Sequence, residues 1–327
     1  MIGLSVVLLG SMASTGAGAG LRFDPPEPRL GDLVVVYADV GDPAIKEGAL
    51  EAFGYEVVLH RVSKQSLRGF LAVPVDLAPG PHPVRAFIGG EFQTTNMVVK
   101  DRPFEATELS VSSRFTKRKS RKLRRRLARE QRVIQAIWDR APSAPLAAGP
   151  FLRPVRSEVT GRFGSRRVFN GKTKSRHYGL DLDGKTGDPV HAVLAGRVVM
   201  SSLRFYSGGT IVIDHGSNLF SLYFHLSRRL VREGSMVNAG QRIGSVGRTG
   251  RVTGPHLHLA LVVRSIYADG GQAGEARSMY VDPERALGLV LEADPAVLRP
   301  SKPKSKPEKP RQGRRKTDDS GRRAANP

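Results

Sequence analysis

The sequence predicts an all-β fold in two parts, with one helix between them and an irregular basic tail. Two observations carry this. Short apolar or alternating runs bounded by Gly and Pro turn signals recur from about residue 21 to 99, and again from about 153 to 281. Between these stretches, from about Ser113 to Arg140, the apolar residues instead follow a helical period. At 327 residues the chain is long enough to bury two cores.

Residues 1–20 open on the apolar run Ile2–Leu9 and end in the small residues Ala17-Gly18-Ala19, the pattern of a secretory signal without its basic n-region. An uncleaved anchor or a first buried strand are the alternatives, and the run is short for a bilayer span. Residues 21–101 then predict strands at Leu33–Tyr37, Tyr55–His60, Phe70–Val73, Val84–Phe87 and Met97–Val99, with turns at Pro79-Gly80-Pro81 and Gly89-Gly90. That spacing suggests a small β-sandwich. His60 and His82 lie in it without acidic company and read as ordinary strand or surface residues.

Residues 102–149 read as a basic helical linker. Leu123, Leu127, Ile134 and Trp138 approximate one stripe, while Arg114, Lys117, Arg118, Lys119, Arg121, Lys122, Arg124, Arg125, Arg126, Arg129 and Arg132 crowd the other faces. Pro142, Pro145, Pro150 and Pro154 mark the loop that follows. The second part, residues 150–290, predicts strands at Val190–Val193, Arg197–Met200, Thr210–Asp214, Leu219–His225, Arg242–Val246 and His256–Val263. Residues 299–327 have neither periodicity nor apolar content and are expected to be disordered.

The formal net charge is +22, of which the tail supplies about +8 with eleven basic and three acidic residues. Such an excess implies an anionic partner: a wall or envelope polymer, a membrane surface or nucleic acid. Nucleic acid is disfavoured, because no base-stacking aromatics interleave the basic residues and no known module is present. A solvated linker and a solubilising tail are the plainer readings of the same charge. The chain has no cysteine. Thiol proteases, Cys-ligated zinc, disulfides and an N-terminal lipid-anchored cysteine are thereby excluded, and export is permitted without being proved.

Six of the eight histidines fall between positions 177 and 258. In Gly254-Pro255-His256-Leu257-His258-Leu259, a strand would put both imidazoles on one face and the leucines on the other. Upstream stand His177-Tyr178-Gly179-Leu180-Asp181 and Tyr223-Phe224-His225-Leu226. His177 and Asp181 with a neutral His258 would offer two imidazoles and one carboxylate, leaving a tetrahedral metal one open position. Imidazole content favours zinc, though cobalt or manganese could substitute. An i, i+4 pair could also lie on a helix, but Gly179 and the β surroundings argue against that. His225 and His256 are candidates to accept a proton or stabilise an oxyanion. Each fragment is weak alone; their joint occurrence in one β region is stronger.

Phe163-Gly164-Ser165-Arg166-Arg167, His177–Asp181, Ile213-Asp214-His215-Gly216, Leu222–Leu226 and Thr253–His258 occur in the order and spacing of the lysostaphin/LytM-type zinc metallopeptidases. Residues 150 to 285 thus resemble that family. The resemblance implies one Zn2+ held by His177, Asp181 and His258, with His225 and His256 as catalytic histidines. It also implies hydrolysis of peptide cross-links in peptidoglycan, in the periplasm or cell envelope, with the D-Ala to meso-diaminopimelate bond as the target in a Gram-negative host. Some relatives have lost ligands and only activate amidases, whereas this chain keeps all five positions. His215 matches a family position but reads as a loop-orienting residue, His191 as structural, and Tyr206 as a groove contact. The N-terminal strands and helix resemble the immunoglobulin-like (Ig-like) extension of some Gram-negative members, which can cover the groove.

Overall fold

The computed structural model describes residues 20–109, 119–140, 143–169, 173–267, 276–294 and 297–298. The apolar leader read over 1–20, apart from Gly20, the basic residues Arg114, Lys117 and Arg118, and the tail 299–327 lie outside the described residues.

Seven antiparallel strands form first: β1 Leu21–Asp24, β2 Leu33–Asp39, β3 Glu47–Ala52, β4 Tyr55–Arg61, β5 Ser66–Ala72, β6 Gly80–Ile88 and β7 Glu91–Val99. Pairing runs in the order β1-β2-β5-β4-β3-β6-β7. One core fills this unit, with Val34, Val36, Leu50, Leu59, Leu71, Val84 and Met97 among its members. β2 is buried on both faces, and its period-2 alternation explains why. Val34, Val36 and Ala38 join that first core, while Leu33, Val35 and Tyr37 join a second core shared with the later strands.

The chain then runs through β8 Ala106–Leu109 and helix α1 Arg121–Trp138. The strands that follow are β9 Gly149–Pro150, β10 Val159–Gly161, β11 Arg166–Phe169, β12 Thr173–Arg176, β13 Leu180–Asp183, β14 Pro189–His191, β15 Gly196–Arg204 and β16 Gly208–Asp214. After them come β17 Leu219–Leu226, β18 Arg228–Arg229, β19 Met236–Val237, β20 Arg242–Ser245, β21 His256–Tyr267 and β22 Ala276–Val281. The short helix α2 Pro283–Ala286 and strand β23 Val290–Leu291 end the described elements. Residues 102–149 are therefore not helical throughout, because β8 pairs in parallel with β11 beside the β11–β12 hairpin.

β21 is the axis of the second half. One edge of it pairs with β17 along Leu219–Phe224, and β16, β15 and β19 follow in order. The other edge is divided: His256–Leu259 pair with β13, and Leu261–Ile266 pair with β22. At its far end Ile266 and Tyr267 pair with Glu56 and Tyr55 of β4, so the sheet continues into the N-terminal strands.

Helix α1 lies on the sheet face opposite the shared core. Ser120 caps its first turn by accepting from Leu123 N–H. Ile137 and Trp138 pack with Phe220, Leu222, Ala260 and Val262, the Trp138 and Phe220 rings meeting edge-on at 4.9 Å. Buried Arg264 of β21 donates to the carbonyls of Trp138 and Arg140, supplying a cation where the helix exposes its last acceptors.

Candidate active site

The register of β13 against β21 builds the site. Asp181 stands opposite His258, while Leu180 stands opposite Leu259 and Leu182 opposite Leu257. Directly opposed residues share a face, so the four leucines enter the shared core and the carboxylate and imidazole face the other way together. His177 arrives just before β13, its N–H bonded to Ser165 carbonyl and its carbonyl accepting from Gly164 N–H. Gly179 lets the loop approach this closely, since a Cβ there would lie 2.4 Å from His258 Nε2 and 2.6 Å from Leu259 O.

Three donor atoms converge on one point. His177 Nε2 is 3.1 Å from Asp181 Oδ1 and 3.0 Å from His258 Nδ1, and the latter two are 2.7 Å apart. His177 Nδ1–H donates to the carbonyl of Arg162 at 2.8 Å, which fixes the tautomer that leaves Nε2 as a lone-pair donor. Burial opposes charge on Asp181, but the neighbouring imidazoles of His177 and His258 outweigh it and hold the carboxyl well below its usual range. The three residues form a potential metal-holding group, their donor atoms all within 4.8 Å of one another. Two imidazole nitrogens and one carboxylate oxygen, with the first imidazole tied back to a carbonyl, fit a divalent transition metal.

His256 and His225 stand beside this group. His256 Nδ1–H donates to Gly254 carbonyl at 3.0 Å, and its Nε2 lies 3.7 Å from Asp181 Oδ1. His225 Nδ1–H donates to Thr249 carbonyl at 2.9 Å, and the His225 and His256 rings are 5.0 Å apart. Both imidazoles are thereby tethered at Nδ1. Burial pushes His225 down to about 3, with charge on His258 and His256 adding to the effect. His225 also has a φ of 65°, and this left-handed residue follows the last β17–β21 pair, Phe224 with His258, and turns its ring away from the core. The sequence gives no sign of that turn.

The cleft has a volume of about 660 Å³ and is lined by all five of these residues. Phe224, opposite His258 in the β17–β21 register, stacks on it with ring centres 5.2 Å apart and an interplanar angle of 2°. Strand alternation in Leu222–Leu226 puts Phe224 on the face away from Tyr223, while its partner follows only from the register with β21. Tyr206, expected as a groove contact, does line the cleft, together with Tyr178, Tyr280 and Glu105. His215 lies elsewhere, fully buried, with Nδ1–H donating to Ala195 carbonyl and Nε2 2.7 Å from Ser221 Oγ. His191 sits on the separate β14–β20–β18 sheet.

A His–Asp–His donor group lining a cleft, with two further imidazoles beside it, is a centre fit to hold a divalent metal next to two candidate acid/base groups. The comparisons agree on the family. Residues 175–270 match the model of peptidase family M23, and that stretch of the chain is an M23 peptidase domain of the LytM/lysostaphin type. Peptidoglycan DD-endopeptidase ShyA of Vibrio cholerae is 44% identical over 114 residues, which is 34% of this chain and 26% of that protein. Lysostaphin of Staphylococcus simulans is 40% identical over 91 residues, covering 27% of this chain and 18% of that one. The match thus spans about a quarter or less of these curated relatives. A crystal structure of an M23 peptidase from Pseudomonas aeruginosa superposes with a TM-score of 0.55 at 26% identity, covering 80% of this chain and 95% of that one.

Proposed function

We propose that this chain is a zinc-dependent peptidoglycan endopeptidase that hydrolyses peptide cross-links. The observation that carries the reading is the convergence of all five site residues on one cleft. Relatives named peptidoglycan DD-endopeptidases support the substrate class. Within that class we assign the bond between D-Ala and meso-diaminopimelate, and we place the chain outside the cytoplasm, at the wall. Among the described residues no helix is long and apolar enough to cross a membrane. The same reading divides the chain into an Ig-like module over 21–101, a linking segment over 102–149 and a peptidase domain over 150–290.

His177 Nε2, Asp181 Oδ1 and His258 Nδ1 would hold the zinc. When bound, such an ion polarises a carbonyl oxygen and makes water acidic near neutral pH. The chain's own groups do the rest. His225 and His256, each tied at Nδ1 to a backbone carbonyl, present Nε2 to the cleft. With Nδ1–H of His225 committed to the Thr249 carbonyl, its Nε2 lone pair is the one that would accept the proton of the attacking water. The water oxygen bonds to the amide carbon, the C–N bond breaks, and the proton passes to the leaving amine. The partner imidazole, once protonated, donates to the developing oxyanion. Phe224 fixes the plane of His258 by stacking.

The test is the full chain on isolated peptidoglycan, with and without chelator, beside His256→Ala and Asp181→Ala, with mass analysis of muropeptides. Chelator-sensitive loss of cross-linked dimers, abolished in both variants, is expected. Absence of any release from several wall types, with metal shown to be bound, would sink the hydrolase reading.

A further inference from the structure

Helix α1 is outside the matched M23 stretch, yet it is fastened beside the cleft. Seven of its eighteen residues are basic, and Glu130 is its single acid. At about 100° per residue, Arg121, Arg125, Arg129 and Arg132 fall within an arc of about 80°, over a length of about 16 Å. The apolar stripe and Glu130 lie on the opposite side, where Ile137 and Trp138 are buried. All four arginines are exposed, and no carboxylate among the described residues pairs with them. Such like-charged neighbours at i, i+3 and i+4 repel one another. Arg121 and Lys122 also sit in a first turn without any acidic residue, against the helix dipole. The stripe therefore weakens the helix that carries it, and a bound polyanion would relieve both costs.

Its position relates it to the cleft. Phe205 N–H donates to the Glu130 carboxylate, and the Phe205 ring lies under Arg126. Tyr206, in edge contact with Phe205 at 4.9 Å, lines the cleft itself. A recess of about 750 Å³ between Phe205 and Arg125, Arg129 and Arg132 thus opens next to the cleft wall.

We infer that the arginine stripe of α1 is a docking surface, apart from the cleft, for the carboxylates of the peptidoglycan stem peptides. The inference rests on the function proposed above. Charge complementarity and the adjacency of stripe and cleft select the wall as occupant: the surface would hold the polymer while the cleft cuts it. Binding of this kind is electrostatic and falls with salt.

The test compares the full chain with a variant carrying Arg121→Gln, Arg125→Gln, Arg129→Gln and Arg132→Gln. Glutamine is a good helix former and removes the repulsion, so the variant stays folded, which a melting curve verifies. Co-sedimentation with intact sacculi is measured at low and high salt, alongside hydrolysis of a soluble cross-linked muropeptide dimer. The expected result is at least tenfold weaker sacculus binding at low salt, a flatter salt dependence and an unchanged rate on the soluble dimer. Sacculi whose carboxylates have been amidated should lose wild-type binding to the same degree. Equal pelleting of variant and wild type, or undiminished binding to amidated sacculi, overturns the inference. So does stripe-dependent binding to anionic vesicles or DNA without binding to sacculi. Stripe-dependent, carboxylate-dependent pelleting by a chain that cleaves nothing would retain the docking surface and reject the hydrolase reading instead.

Discussion

At His225 the backbone spends conformational energy to place one ring. Alternation along β17 would send position 225 to the core side with Ser221 and Tyr223, and the φ of 65° brings it round to the cleft. A left-handed non-glycine residue costs of the order of 1 kcal/mol or more. His225→Gly and His225→Ala should both abolish hydrolysis, yet the Gly variant should be about 1 kcal/mol more stable than the Ala variant in urea unfolding. Equal stability of the two would mean that the turn carries no strain. His215 makes a different prediction at the same scale. Burial pushes it down to about 4, whereas an unfolded histidine titrates near 6.5. Between those values the unfolded chain binds the extra proton, so this stability is full above pH 6.5 and is lost as pH falls towards 4. The loss is about 3 kcal/mol by linkage. Urea midpoints should fall over that window in the wild type and fall less steeply in His215→Gln.

Helix α1 shows what an element can do for a site that it does not enter. Glu130 accepts from Phe205 N–H at 3.1 Å and from Arg126 Nε at 2.8 Å, and its carbonyl accepts from Arg204. The held turn continues to Ser207, whose carbonyl accepts the His225 N–H at 2.8 Å. A path of hydrogen bonds therefore runs from the helix to the backbone of a candidate catalytic residue. Glu130→Ala should lower kcat on a soluble cross-linked dimer by about tenfold, the loss expected for roughly 1.4 kcal/mol of misplacement. Stability should fall by only about 1 kcal/mol. Unchanged kcat with the same loss of stability would reduce Glu130 to a packing residue.

Across the whole molecule, the N-terminal strands support the peptidase sheet. Leu33, Val35, Tyr37 and Phe70 are buried in the same core as Leu180, Leu257 and Leu259, behind the site. Buried Arg68 donates to the carbonyls of Ala147 and Glu292, and the Tyr37 hydroxyl accepts from Glu292 N–H. Asp282, wholly buried, pairs with Arg102 at 2.6 Å, caps α2 and donates its N–H to Gly31 carbonyl. Removing one partner of a buried pair costs about 3–5 kcal/mol. Asp282→Ala should therefore destabilise the chain by about that much in a single cooperative transition reported by probes in both halves. Two separate transitions would show that the shared core does not couple them.

The strand runs, the helix and the five residues that meet in the cleft were legible in the sequence because each rests on a short-range pattern. Alternation put His256 and His258 on one face, a 3.6-residue period marked the helix, and residue chemistry named the donors. The unbroken apolar run Leu33–Tyr37 is consistent with burial of β2 on both sides, but the sequence could not show that its second face enters the core of the later strands. Nor could it show β8 pairing with β11, since parallel pairing between distant segments leaves no local period. The turned backbone at His225, the Phe224 stack on His258 and the Glu130 link to the cleft wall were likewise decided by tertiary structure. Each depends on which segments far apart in the chain meet, and strand register and helix docking of that kind are set only when the sheet closes on its core. Local chemistry chose the groups of this site; long-range packing fixed where their atoms point.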